Sequence, residues 1–148
     1  MKKLSCFSVI IIFSWLFAPL FSQDNIKWDV FYNQEKNEIF IEATLDNGWY
    51  LYSQHIDENI GPIPTEISFE ENEEIELIED VKEPEGEEVY DKNFGSDIVI
   101  FKDFVRFNQE VRPLSEGRHS LSGSILFMMC NKEGCSPPIV HDFSIVIE

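Results

Sequence analysis

Apolar and polar residues alternate with a period of two along most of the chain after residue 22. In residues 38–45, for example, every second residue from Ile39 onward is apolar. This period is that of a β-strand with one buried face, because successive side chains of a strand point to opposite sides. No segment after residue 22 has a convincing helical period. The pattern therefore predicts an all-β protein.

The predicted strands are short, and short turn segments separate them. They are residues 27–32, 38–45, 49–53, 61–69, 74–81, 96–107, 119–130 and 139–148. Between the second and third of these, Asp46-Asn47-Gly48 predicts a hairpin, because Asn and Gly tolerate positive φ. About eight strands at this spacing favour an immunoglobulin-like β-sandwich over a barrel.

The first 22 residues have a different character from the rest of the chain. Lys2 and Lys3 precede a long uncharged apolar run that ends at Ser22. This order is typical of a secretory signal peptide, and an uncleaved N-terminal anchor is the alternative. We therefore expect a signal peptide at residues 1–22 and one domain at residues 23–148. The domain would lie in the periplasm or elsewhere outside the cytoplasm, where disulfides persist.

The chain is strongly acidic, with 28 Asp and Glu residues against 11 Lys and Arg residues and a formal charge of −17. Cleavage after residue 22 would remove two lysines and no acids, which changes the formal charge to −19. Such a charge repels phosphates and anionic lipid, so no nucleic-acid partner is expected. It would steer an encounter with a positively charged protein face, although a role in solubility alone is the alternative.

Cys130 and Cys135 are the only cysteines after residue 22, in the segment "FMMCNKEGCSPP". A structural disulfide that closes so short a loop would contribute roughly 2 kcal/mol. A metal site could add Met128, Met129 and His141, but the spacing matches no common zinc or copper motif. A redox dithiol is the third interpretation, because a tight connection can bring the two sulfurs into bonding range. The residues alone leave all three open.

The surroundings of this pair predict little activation of either thiol. Glu133 and the net negative charge raise a thiol pKa, and Lys132 is the only cation nearby in the sequence. No helix N-terminus is predicted there. If the pair is a redox dithiol, a carrier that exchanges electrons only when docked is favoured over a self-sufficient oxidant or reductase.

Four segments together carry a family resemblance. They are "GWYLYSQ" at 48–54, "GPIPTEISF" at 61–69, "VYDKNFG" at 89–95 and "CNKEGCSPP" at 130–138. In this order and spacing the chain resembles the periplasmic N-terminal domain of the DsbD family of thiol:disulfide interchange proteins. The resemblance covers essentially all of residues 23–148 and implies an immunoglobulin-like fold.

The resemblance implies a monomeric electron carrier without a cofactor or a resident metal. Its donor would be membrane-embedded and would act through a thioredoxin-like protein. Its acceptors would be periplasmic disulfide isomerases or cytochrome-maturation thiol proteins. By position, Cys135 would form the mixed disulfide with a partner and Cys130 would resolve it. An enzyme with a small-molecule substrate is not expected.

Members of this family cover their cysteines with a cap loop that carries an aromatic shield and nearby acids. Here residues 90–95 are the candidate loop, with Phe94 or Tyr90 as the shield and Asp91 as the acid. The match is inexact, because Asn93 stands where the family pattern has phenylalanine. Packing in the core is the alternative role for Phe94.

The resemblance also has a limit in length. Full-length members of the family continue into membrane spans and a thioredoxin-like domain, whereas this sequence ends at Glu148. We therefore expect a stand-alone copy whose missing parts are separate polypeptides.

Two alternatives to the relay are a protein-binding sandwich with a structural disulfide and a metal chaperone that uses Cys130, Cys135 and His141.

Overall fold

A computed structural model describes residues 25–57, 59 and 61–148 of the protein, and this part of the chain contains eleven β-strands. They are β1 Ile26–Asn33, β2 Glu38–Leu45, β3 Tyr50–Tyr52, β4 Glu66–Phe69, β5 Ile75–Lys82, β6 Glu87–Asp91, β7 Ser96–Lys102, β8 Phe104–Pro113, β9 His119–Phe127, β10 Met129–Cys130 and β11 Ile139–Ile147. The expected signal peptide lies outside the described residues. Within them, no helix has the length and apolar character to cross a membrane.

Backbone hydrogen bonds join the strands into three antiparallel sheets. The large sheet has the order β1-β2-β8-β5, the cysteine sheet the order β10-β3-β7-β6, and the third sheet the order β11-β9-β4. The inner faces of all three contribute to one buried core, in which Trp28 of the large sheet lies 5.3 Å from Phe127 of the third sheet between ring centroids. The expected β-sandwich therefore forms around a core that all three sheets share.

The predicted hairpin at residues 46–48 is wrong, although the turn itself forms. Trp49 N–H donates to the Asp46 carbonyl at 3.0 Å, and Gly48 has a φ of 89°. However, β2 pairs with β1 and β8, whereas β3 pairs with β10 and β7. The turn thus carries the chain from the large sheet to the cysteine sheet. Alternation specifies which side chains face inward, but it does not specify the neighbouring strand.

The two longest predicted strands are each broken where the chain changes sheets. Asp103, with a φ of 59°, separates β7 in the cysteine sheet from β8 in the large sheet. Aspartate is one of the few residues besides glycine that adopt this left-handed conformation readily. Met128 similarly separates β9 from β10. Strand β6 is not predicted from the sequence, because its charged residues suggest a turn. It is an edge strand, where exposed charges are common.

The cysteine sheet buries side chains on both of its faces. Leu51 and Met129 belong to the main core, whereas their neighbours Tyr52 and Cys130 belong to a second buried cluster. Phe94 packs against this second cluster from the loop between β6 and β7. Because neighbours along a strand point to opposite faces, the fold places Cys130 on the side away from the main core.

A buried histidine, His119, begins strand β9. His119 is 5% exposed, and its Nε2 lies 2.9 Å from the Ser115 carbonyl. Its Nδ1 lies 3.2 Å from Glu74 Oε2, which is close enough for an ion pair when the imidazole is protonated. The Ser115 carbonyl and, after it, the Glu74 carboxylate raise the pKa of His119. Both ring nitrogens therefore face acceptors, which favours the protonated imidazolium.

Candidate functional site

The two cysteines form a disulfide across a tight turn. Their Cα atoms lie 4.0 Å apart, and the two residues pair as an isolated antiparallel bridge. Asn131 shapes the turn, because its Oδ1 accepts from the N–H groups of Glu133 at 2.8 Å and Gly134 at 3.0 Å. Its own N–H donates to the Gly134 carbonyl at 2.9 Å. A short polar loop thus supplies the geometry that the disulfide needs.

The two cysteines differ strongly in exposure. Cys130 is completely buried at the end of β10, whereas Cys135 is exposed. Ser136 ties the outgoing chain back to β10, because its N–H donates to the Met129 carbonyl at 2.8 Å and its Oγ accepts from Met129 N–H at 3.2 Å. A sulfur atom of another protein can therefore reach Cys135 but not Cys130.

A buried polar network contacts the inner sulfur. Tyr52 Oη lies 3.0 Å from Cys130 Sγ and 2.9 Å from Asp91 Oδ2, and Tyr50 Oη donates to the same carboxylate oxygen at 3.1 Å. Tyr52 has one hydroxyl hydrogen, which it donates to the carboxylate as the stronger acceptor. Its oxygen then faces the Cys130 sulfur. The network connects Asp91 to the sulfur through a single hydroxyl group.

The carboxylate at the centre of this network is itself buried and fully hydrogen-bonded. Asp91 is 4% exposed, and its second oxygen accepts from Asn93 N–H at 2.7 Å. Burial, and then the hydrogen bond to Asp91, raises the pKa of Tyr52 far above its usual value. Burial also raises the pKa of Tyr50. Both hydroxyl groups therefore keep their protons at physiological pH and remain donors to Asp91.

The cap-loop candidate places its two aromatic residues differently. Phe94 is half-buried, and its ring meets Tyr52 in a T-shaped contact at 6.1 Å between centroids. Gly61, with a φ of 131°, lies directly against this ring, so that a methyl group there would overlap Phe94. Tyr90 is 62% exposed and does not belong to the buried cluster. Of the two aromatic residues, Phe94 covers the cluster that contains Cys130.

A polar side chain lies beside the outer sulfur. Asn93 Nδ2 is 4.0 Å from Cys135 Sγ, at the far limit of a hydrogen bond to sulfur. The loop that carries Asn93 forms a tight turn, because Gly95 N–H donates to the Asp91 carbonyl at 2.7 Å. An amide group thus approaches Cys135 from the cap-loop candidate. An N–H donor at this place favours the thiolate of Cys135 once the disulfide is reduced.

The residues considered for a metal site do not all share one buried cluster. No group of three His, Cys, Asp or Glu residues that could hold a metal ion occurs in the described ranges. The His141 ring stacks on Trp28 at 6.5 Å between centroids. Met129 lies in the main core, on the other face of the sheet from Cys130. Met128, in contrast, packs against the cluster that contains Cys130.

The sequence pattern does not reveal the role of Tyr52. Alternation in Tyr50–Tyr52 predicts that the two tyrosines share a face. Core packing is the simplest expectation for both, and the family resemblance offers a position near the cysteine pair as the alternative. Their contact with Asp91 depends on β3 and β6 both pairing with β7, their common neighbour in the cysteine sheet. That arrangement cannot be inferred from local patterns.

Comparisons with known proteins agree with this architecture. The family model described as "Thiol:disulfide interchange protein DsbD, N-terminal" matches residues 18–147. A comparison with curated proteins finds no match. The chain is 14% identical to the reduced DsbD N-terminal domain of Neisseria meningitidis, with a TM-score of 0.60 over 82% of this chain and 85% of that one.

Two further solved structures are similar. One contains the complex between the DsbD N-terminal and PilB N-terminal domains of Neisseria meningitidis, with 11% identity and a TM-score of 0.59 over 86% of this chain and 88% of that one. The other is the N-terminal periplasmic domain of ScsB from Proteus mirabilis, with 18% identity and a TM-score of 0.54. That match covers 86% of this chain and 49% of the ScsB domain. The expectation of an immunoglobulin-like sandwich is confirmed.

Proposed function

The chain belongs to the family of DsbD N-terminal domains, which are thiol:disulfide interchange domains, and on this premise we propose that Cys130 and Cys135 relay electrons between other thiol proteins. The observation that carries the proposal is the disulfide between one buried and one exposed cysteine. Only the exposed sulfur can meet a partner, and the buried one is held in bonding range of it. This is the arrangement that a two-step exchange requires.

In the first step, the thiolate of reduced Cys135 attacks one sulfur of a partner disulfide. A mixed disulfide forms, and the partner's other sulfur leaves as a thiolate and takes up a proton. In the second step, the Cys130 thiolate attacks the Cys135 sulfur of the mixed disulfide and releases the partner's second thiolate. The partner has then gained two electrons, and the domain holds the Cys130–Cys135 disulfide. Exchange in the opposite direction with an electron donor restores the two thiols.

The tyrosine and aspartate network supports the second step. Cys130 must lose its proton before it can attack, and Tyr52 Oη is the polar atom beside its sulfur. Tyr52 in turn donates to Asp91 Oδ2. The proton of the Cys130 thiol therefore has a path through the tyrosine hydroxyl toward the carboxylate. This path needs no water inside the buried cluster.

Phe94 acts in this proposal as the shield of the dithiol, and its loop as a cap that a partner displaces. Its contact with Tyr52 supports the role, because the ring closes the cluster in which Cys130 is buried. The cap would limit exchange with small thiols while it permits exchange within a docked complex. Tyr90 is exposed in the closed cap, which leaves it free to contact a partner directly.

The partners would be a membrane-embedded electron donor and thioredoxin-like proteins, with periplasmic disulfide isomerases or cytochrome-maturation thiol proteins as acceptors. A related domain from Neisseria meningitidis forms a complex with the PilB N-terminal domain, which supports a protein partner of some kind. The related ScsB domain is periplasmic, which supports a location outside the cytoplasm. There the dithiol would cycle between its oxidised and reduced states.

The reduction potential of the Cys130–Cys135 pair tests the proposal. The purified protein is equilibrated in thiol buffers of graded potential, alkylated and analysed by mass. A value in the range of exchange proteins, roughly −120 to −270 mV, supports a relay. A value well below about −300 mV would identify a structural disulfide and favour the protein-binding sandwich instead.

A trapping experiment tests the separate roles of the two cysteines. In Cys130→Ser the exposed Cys135 remains, so mixed disulfides with partner proteins should accumulate. In Cys135→Ser the remaining thiol is buried, so few should form. The opposite result would reverse the assignment of the two roles.

A further inference from the structure

We propose that a groove beside the cysteine loop is the docking surface for an acidic segment of the partner thiol protein. This inference rests on the proposed exchange function. The groove has a volume of about 740 Å³, and its lining includes Lys132 of the cysteine loop and Lys92 of the cap loop. The cysteine loop and the cap loop, which both lie next to the sulfurs, therefore each contribute one lysine to this groove.

Two lysines of the groove differ from most cations of this chain because they have no carboxylate partner. Among the described residues, six of the nine Lys and Arg side chains lie within 4.0 Å of a carboxylate. The three without such a contact are Lys36, Lys92 and Lys132. Lys36 lies over the Phe40 ring, 5.5 Å from its centroid. Two of the three unpaired cations therefore line the groove.

The groove contains three further charged groups. Lys102 also lines it, but its Nζ forms an ion pair with Glu87 at 2.8 Å. Asp91 is buried, and its two oxygens accept hydrogen bonds from three donors. Asp103 remains as an exposed acid in the lining. The lining therefore holds three lysines against two acids, and the two lysines without an ion pair, Lys92 and Lys132, are exposed.

Aromatic side chains give the groove the composition of a protein interface. Trp49 and Tyr50 are half-buried in its lining, and Tyr90 is 62% exposed there. Tyrosine and tryptophan are enriched at the centres of protein interfaces, where they bury a large area at a low cost in conformational entropy. The aromatic residues would supply contact area, and Lys92 and Lys132 would select carboxylates over other side chains.

The net charge of the chain and the charge of the groove predict opposite preferences. A formal charge of −17 favours a basic partner at long range. At contact distance, groups within about 10 Å dominate at 0.1 M salt, because more distant charges are screened. The unpaired cations of the groove therefore favour an acidic segment next to the partner's reacting sulfur. A faster reaction with an acidic segment would show that the lysines of the groove dominate, and a faster reaction with a basic segment would show that the net charge of the chain dominates.

Three synthetic peptides test which charge next to the reacting sulfur the protein prefers. Each carries one cysteine as a mixed disulfide with thionitrobenzoate, flanked by four Glu, four Gln or four Lys residues. Cys135 of the reduced protein attacks the peptide sulfur, and the coloured thionitrobenzoate thiolate leaves. We expect the Glu peptide to react roughly threefold to tenfold faster than the Lys peptide at low salt, with the Gln peptide between them. The difference should shrink at 0.5 M salt.

Two double variants with the same change in net charge separate local from global effects. Lys92→Glu with Lys132→Glu reverses both unpaired cations of the groove and should reverse the preference. Lys27→Glu with Lys36→Glu changes two lysines of the large-sheet region and should leave it intact.

A Lys peptide that reacts faster than the Glu peptide with the unmodified protein would overturn the inference, while exchange itself would stand. An equal effect of the two double variants would also overturn it. Absence of release with every peptide would refute the exchange function and this inference together.

Discussion

Removal of one hydroxyl group, in Tyr52→Phe, should destabilise the oxidised protein and leave its packing unchanged. Tyr52 is completely buried, and its Oη donates to Asp91 Oδ2 at 2.9 Å. Phenylalanine keeps the ring, and therefore the T-shaped contacts with Tyr50 and Phe94. The substitution removes the hydrogen bond without creating a cavity larger than one oxygen atom.

The expected cost follows from the kind of hydrogen bond that is lost. A hydrogen bond to a charged group contributes about 1.5–3 kcal/mol, compared with about 1 kcal/mol for a neutral pair. Asp91 Oδ2 keeps the hydroxyl of Tyr50 at 3.1 Å, so the carboxylate is not left unpaired. We therefore expect Tyr52→Phe to lower the free energy of unfolding by about 2 kcal/mol.

Urea unfolding of the oxidised protein at pH 7 measures this change, provided that the slope of the transition is unaltered. Tyr32→Phe is the matched control, because the Tyr32 hydroxyl donates to Asn37 Oδ1 at 3.0 Å on the exposed surface. Its loss should cost less than about 1 kcal/mol. Both variants make the same chemical change, so the difference reports the buried carboxylate contact.

A double-mutant cycle then tests whether Tyr52 acts through Asp91. In an Asp91→Asn background, Tyr52→Phe should cost clearly less than in the unmodified protein, because contacting residues are not additive. If Tyr52→Phe costs no more than Tyr32→Phe, or if its cost is unchanged by Asp91→Asn, the proposed network does not stabilise the site.

Three further results are expected. Phe94→Ala should cost about 2 kcal/mol, since the ring is only half-buried, and should speed reduction of the disulfide by dithiothreitol; an unchanged rate would remove Phe94 from the shield role. In a Cys130→Ser background, Asn93→Ala should raise the pKa of the Cys135 thiol, because it removes an N–H donor near the sulfur. The pH dependence of iodoacetamide alkylation measures this pKa. An unchanged midpoint would mean that the Asn93 amide does not stabilise the thiolate. Because the pKa of His119 is raised in the folded protein, its stabilising contribution is complete below the unfolded pKa of about 6.5 and is lost as the pH rises through the folded pKa. As the pH rises through that window, the midpoint of urea unfolding should therefore fall in the unmodified protein and change less in His119→Gln. The same pH dependence in both proteins would show that His119 does not contribute this stability.

Alternation in the sequence predicts which residues of most strands face the interior, and local turn residues predict where most turns lie. The alternation in Glu38–Leu45 depends only on the geometry of one strand, in which neighbours point to opposite faces. The left-handed φ of Gly48 is likewise a local property. The resemblance to the DsbD family rests on short segments in a fixed order, and it indicated the dithiol and the cap loop without any knowledge of contacts.

Which strands are neighbours, and which side chains meet, follows only from the folded arrangement of the sheets. Tyr52 contacts Asp91 and Cys130 across 39 and 78 residues of sequence, through strands whose pairing the alternation does not encode. Lys92 and Lys132 come to one groove for the same reason, although only Lys132 is near a cysteine in the sequence. Alternation along a strand determines on which face of the sheet each side chain lies. The partner on that face depends on the order of strands in the sheet, which burial of the whole core selects.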